Sequence, residues 1–216
     1  MKRRMAAALA AVMVAGILFP ATVFAAERSA KSVGADGRVP AKWNLAKPEK
    51  KSHADVAPPS ASGSGDGYNS MSFSYFDSGD MVVVLGTSTG HAGVFDRARY
   101  VSLNSYAVLS ANTTPKNGVQ YETCVKYRRY DEAYGLWVPA RDSYGSAVRY
   151  YCRSKLNKPY DIMGAKTDET SFYCSKLAWL GWYRCSGLDL DGDGGYWVWP
   201  IDLVNASATY AFGHWL

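Results

Sequence analysis

No cysteine precedes Cys124, and histidine occurs only at positions 53, 91 and 214. The first absence leaves the amino-terminal segment without a lipobox cysteine. The second leaves three candidates for any general base. No stripe of Arg and Lys interleaved with aromatics runs along the chain, so nucleic acid is not expected as a partner. An internal repeat is absent too. The excess of positive charge is also smaller than it first looks. Lys2, Arg3 and Arg4 lie together at the start, and without them 21 basic residues face 19 acidic ones, which lowers the formal charge from +5 to +2.

What is present begins with those three basic residues, an apolar run from Met5 to Phe19, and small residues around Val23-Phe-Ala25 and Ala26. This is the pattern of a secretory signal peptide over residues 1–26, and it predicts a secreted or cell-envelope protein with no stable membrane insertion after cleavage. Residues 27–68 are rich in Pro, Ala, Ser, Lys and Gly and end in Pro58-Pro-Ser-Ala-Ser-Gly-Ser-Gly-Asp-Gly67. Such a stretch lacks the apolar density to offset the entropy of its own ordering, so it reads as a linker or pro-segment. His53 falls in it. Residues 69–216 are long enough for one domain with its own core. With 16 Tyr and 7 Trp the chain is rich in aromatics, which suit both a groove and a core.

Within that domain, Met81–Leu85 reads as a strand buried on both faces, and His91–Asp96 as its antiparallel partner. Gly90 and Gly93 leave room beside His91. A third strand is expected at Tyr106–Asn112, where alternation places Val108, Ser110 and Asn112 on one face. Further strands are expected near Val119 and at Tyr134–Val138. Ala147, Val148, Tyr151 and Cys152 predict a helix over Tyr144–Leu156, stopped by Asn157-Lys-Pro159. Asp189, Asp191, Asp193 and Gly194 match positions 1, 3, 5 and 6 of a calcium loop, but position 12 is Pro200, which cannot ligate. The segment therefore reads as a tight acidic turn, with no metal or other cofactor expected. A short strand at Tyr196–Trp199 leads into a final turn and strand.

The stretch that organises the domain is Thr170–Trp182. Cys174, Leu177, Ala178, Gly181 and Trp182 recur at helical spacing, and Thr170 or Ser171 is placed to cap the start. Cys174 then lies in the first turn, where free N–H groups and the helix dipole favour a thiolate. A thiolate mechanism needs a base. His53 lies in the linker and His214 near the end of the chain, which leaves His91.

Lys158-Pro-Tyr160, Phe172-Tyr-Cys174-Ser-Lys-Leu177, Gly79-Asp80 and Gly90-His91-Ala-Gly-Val94, with Gly187–Asp191 and Pro200–Leu203, together resemble the circularly permuted branch of the NlpC/P60 superfamily. The resemblance implies an α+β, permuted papain-like fold: an antiparallel sheet with the nucleophile at a helix N-terminus. It implies Cys174 as nucleophile, His91 as base and Tyr160 on the wall of the active site, where its hydroxyl assists the oxyanion beside the Cys174 N–H. Many permuted relatives carry an acid where this chain has Ser110, with Asn112 two residues on and on the same face. Position favours Ser110 as the group that orients the imidazole; chemistry favours Asn112, whose carbonyl is the more dependable acceptor.

The function so implied is an exported cysteine peptidase or amidase acting on peptidoglycan or another peptide. Two alternatives are a lipid acyltransferase or esterase with the same Cys-His site, and a non-catalytic secreted binding module held by disulfides. In an exported protein at least one disulfide is expected, first between Cys152 and Cys185. All four cysteines paired as two disulfides would leave no thiol for catalysis.

Overall fold

Six apolar runs separated by Gly- and Asp-rich turns become the strands of one sheet in the computed structural model, which describes residues 69–86 and 89–216. The readings of residues 1–26 as a signal peptide and 27–68 as a linker lie outside the described residues. The strands are β1 (Met81–Leu85), β2 (His91–Phe95), β3 (Tyr106–Asn112), β4 (Gly118–Thr123), β5 (Glu132–Trp137) and β6 (Tyr210–Trp215). They lie in the order β4-β3-β2-β1-β5-β6, every neighbouring pair antiparallel. The helices are α1 (Cys124–Tyr127), α2 (Gly145–Ser154), α3 (Cys174–Ser186) and α4 (Pro200–Asn205).

This corrects the permuted papain-like fold class. β4 and β6 stand at the two edges of an open sheet, rather than within a curled papain-like barrel.

Alternation along each strand sends side chains to two separate cores. Met81, Val83, Ala92, Val94, Leu109 and Ala111 face α2 and α3, where they meet Val148, Leu177, Ala178 and Leu180. Val82, Val84, Phe95 and Val108 face the other way, against Phe73, Phe76, Tyr127 and Phe212. Both faces are covered, which is why β1 reads as an unbroken apolar run. Each large side chain so buried contributes about 1.5–3 kcal/mol. Asn69 fastens the start of the described chain, since its Nδ2 donates to the carbonyls of Tyr127 and Tyr130 at 2.9 and 2.8 Å.

Two local expectations change. The cap of α3 is Tyr173, in extended conformation, with no side-chain bond to the helix; Thr170 instead donates its hydroxyl to Asp168. Residues 196–199 form no strand. They lead into α4, which Pro200 opens, and the Asp202 carboxylate accepts the Trp199 N–H at 2.7 Å. Proline at the first position and an acid in the first turn outweigh the aromatic run before them.

The expected Cys152–Cys185 disulfide is also corrected, because all four cysteines are free thiols. Cys152 lies where α2 crosses α3 at Gly181. A Cβ added at Gly181 would stand 2.9 Å from the Cys152 sulfur. The thiol itself donates to the Leu177 carbonyl at 3.6 Å.

Candidate functional site

β2 and β3 pair only at Val94↔Leu109 and Phe95↔Val108. Beyond that point the ladder stops, and the freed backbone of Ala92 finds other partners. Ser110 Oγ donates to the Ala92 carbonyl at 2.6 Å, and the Ala92 N–H donates to the Cys174 sulfur. Gly93 is needed here for close approach. A Cβ at this position would stand 2.4 Å from Val108 Cγ1 and 2.7 Å from the Tyr127 hydroxyl. The gap between two strands is therefore where the first residue of α3 meets the sheet.

Cross-strand register places His91, Ser110, Asn112 and Glu122 on one face: Phe95 opposes Val108, and Val108 opposes Glu122. His91 Nε2 lies 2.7 Å from Glu122 Oε2 and 3.2 Å from Ser110 Oγ. The same imidazole is hydrogen-bonded to the Cys174 thiol. Tyr127 stacks on the ring at 5.5 Å and donates its hydroxyl to Glu122 Oε2 at 2.7 Å. Lys126 Nζ and Asn112 Nδ2 both donate to Glu122 Oε1. With four donors, the buried carboxylate is fully satisfied.

Charge follows from this geometry. Burial alone would lower the His91 pKa, yet the Glu122 carboxylate, together with the hydrogen bond and charge of Cys174, raises it to about 9. Burial would raise Glu122, but His91 and Lys126 hold it far below the usual carboxylate range. Burial would raise the Cys174 thiol; the His91 hydrogen bond and charge, with the Ala92 N–H and Ser175, bring it below an ordinary thiol. Cys124, Cys152 and Cys185 move the other way, pushed up chiefly by burial. Of the four, only Cys174 has its thiolate favoured.

Asn112 does not hold the imidazole. Its Oδ1 accepts the backbone N–H of Thr113 at 2.8 Å, and its amide steadies Glu122 instead. Ser110 does touch His91, but its hydroxyl is engaged mainly with Ala92. Tyr160 lies beside the site in an isolated parallel bridge with Phe172, and burial together with the Cys174 charge pushes its hydroxyl up. His214 lies far along the sheet on β6, stacked on Tyr134 at 4.4 Å and bonded to Glu132. His53 is outside the described residues. Glu122, Tyr127 and Lys126 are not among the residues that the sequence pattern singles out, because that pattern places the orienting group on β3. The available signal was a lone carboxylate on the Gly118–Gln120–Glu122 face of the next strand.

A second group of charges follows α3. Asp191, Asp193 and Asp202 bring carboxylate oxygens within 4.8 Å of one another. Asp189 is engaged elsewhere: its Oδ1 accepts Trp179 Nε1 at 2.7 Å and the Asp191 N–H at 2.9 Å.

No family model matches the chain. The uncharacterized protein YycO of Bacillus subtilis (strain 168) is 25% identical over 124 residues, which cover 56% of this chain and 47% of that one. The match thus spans about half the length of that relative. Among solved structures, the crystal structure of metalloprotein yiiX from Escherichia coli O157:H7 matches with a TM-score of 0.48 and 13% identity, over 62% of this chain and 95% of that one.

With no family model matching the chain, the circularly permuted NlpC/P60 assignment does not hold and is corrected. The roles it implied are withdrawn with it: the cysteine peptidase or amidase, the lipid acyltransferase or esterase, and the peptidoglycan or peptide partner. The disulfide-held binding module falls to the four free thiols.

Proposed function

We propose that Cys174, His91 and Glu122 form a reactive thiol site, in which Cys174 is held as a thiolate open to small electrophiles. The observation that carries this reading is the contact of His91 with both the Cys174 thiol and the Glu122 carboxylate, with the thiol lowered and the imidazole raised. A thiolate beside an imidazolium is an activated nucleophile. Glu122 keeps the ring oriented and charged. Ser110 fixes the strand opening and Asn112 holds Glu122, while Tyr160 lies close enough to feel the Cys174 charge.

Cys174 is only 3% exposed, so small electrophiles should be favoured over bulky ones. Export remains part of the proposal, supported by the pattern of residues 1–26. Among the described residues no helix is long and apolar enough to cross a membrane. The test is intact-mass analysis after brief exposure to iodoacetamide at pH 7. One carbamidomethyl group should appear on Cys174, be absent from Cys174→Ala and form far more slowly in His91→Ala. Equal alkylation of the other cysteines, or none at all, would overturn the reading.

A further inference from the structure

The acidic turn after α3 is not used by the thiol chemistry, and acidic clusters are common on protein surfaces without any ion. A second observation sets this one apart. The Asp191 side chain is 0% exposed, yet its Oδ1 has no hydrogen-bond partner. A carboxylate oxygen shut away from water in that way is costly unless something positive meets it. Lys166 reaches Asp191 Oδ2 and the Gly195 carbonyl, so it does not serve Oδ1. One ammonium also leaves three neighbouring carboxylates with an excess of negative charge.

We propose that Asp191, Asp193 and Asp202 bind a calcium ion, with Asp191 Oδ1 as the innermost ligand. The donors are all carboxylate oxygens, which select a hard cation over softer metals. They come from an irregular turn and the first turn of α4, a set that suits the flexible coordination of calcium better than the strict octahedron of magnesium. The closing carboxylate missing at Pro200 is supplied by Asp202. Asp189, first in the linear pattern, is diverted to Trp179.

The ion ties the turn to α4 and thereby fixes the segment between them. That segment rests on α3: the Tyr173 hydroxyl accepts the Val198 N–H at 3.1 Å, and Ser175 Oγ donates to the Val198 carbonyl at 2.6 Å. Tyr173 and Ser175 flank Cys174, so the ion steadies one wall of the thiol site. Only this consequence depends on the thiol reading; the binding itself does not.

Terbium luminescence on the purified chain, sensitised by tryptophans such as Trp197 and Trp199, is the direct test. The expected result is a saturable signal displaced by calcium with a Kd on the order of 0.1–1 mM. Asp193 is exposed, so Asp193→Asn should fold normally and bind about tenfold more weakly or worse, and Asp191→Asn should lose the signal. Cys174→Ala should bind as the parent does, which separates failure of this site from failure of the thiol chemistry. Lys166→Gln should lower Tm, and calcium should restore it. No saturable signal, the parent's affinity in both aspartate variants, or a Lys166→Gln protein that calcium does not rescue would overturn the proposal.

Discussion

Glu122 shows how one side chain can set the charge of two others. Its carboxylate receives His91, Tyr127, Lys126 and Asn112, and through His91 it acts on Cys174. Alternation along β3 correctly put Ser110 and Asn112 on the face of His91, because a period of two needs no knowledge of the partner strand. It could not name Glu122, which reaches that face only through the register of β4 against β3. Asn112 was favoured for its carbonyl, and that oxygen is taken by the next backbone N–H. The two variants should therefore part in a specific way. Ser110→Ala leaves the buried Ala92 carbonyl without its partner and should cost about 1–3 kcal/mol in urea unfolding. Asn112→Ala removes one of four donors to Glu122 and should slow labelling of Cys174 by iodoacetamide at pH 7 by less than about tenfold, while Glu122→Gln slows it more. Equal labelling rates for the three proteins would disconnect Glu122 from the thiol.

At the scale of elements, the site exists because β2 and β3 separate after two paired residues and admit the start of α3. The sequence marks this opening through Gly93, which stood out as room beside the histidine. The room is filled by Val108 and the Tyr127 hydroxyl rather than by an approaching ligand. Gly93→Ala should accordingly destabilise the fold by about 1–3 kcal/mol through overpacking, read as a lower urea midpoint with an unchanged slope. Unchanged stability would mean that β2 and β3 can shift apart freely. The helical stripe from Cys174 to Trp182 was legible because its period is local. By contrast, α4 was hidden behind an aromatic run that resembles a strand until Pro200 and Asp202 are weighed as opening signals.

For the molecule as a whole, strand and helix positions could be read from periodicity, whereas their assembly could not. Hydrophobic alternation is identical for an open sheet and a curled one, so the family resemblance decided the expected topology, and it decided wrongly. The cysteines illustrate the same limit, since spacing along two helices does not say which side of each helix meets the other. With four free thiols, the protein unfolded in denaturant without reductant should titrate four thiols per chain, and reductant should leave Tm unchanged. Two or fewer thiols would restore the disulfides. The lowered thiol is likewise a property of the assembled molecule, because β2, β4 and α3 must all be in place. Its most direct test is the pH dependence of Cys174 alkylation, followed by peptide mass analysis. A group whose folded pKa is lowered stays ionised as pH falls below its ordinary value. The folded parent should therefore keep reacting at pH values below the ordinary thiol pKa of about 8.5, while the urea-unfolded parent and folded Glu122→Gln should lose reactivity as pH falls through that value or above it. A folded parent that titrates with its own unfolded chain would contradict the thiolate–imidazolium pair on which the account rests.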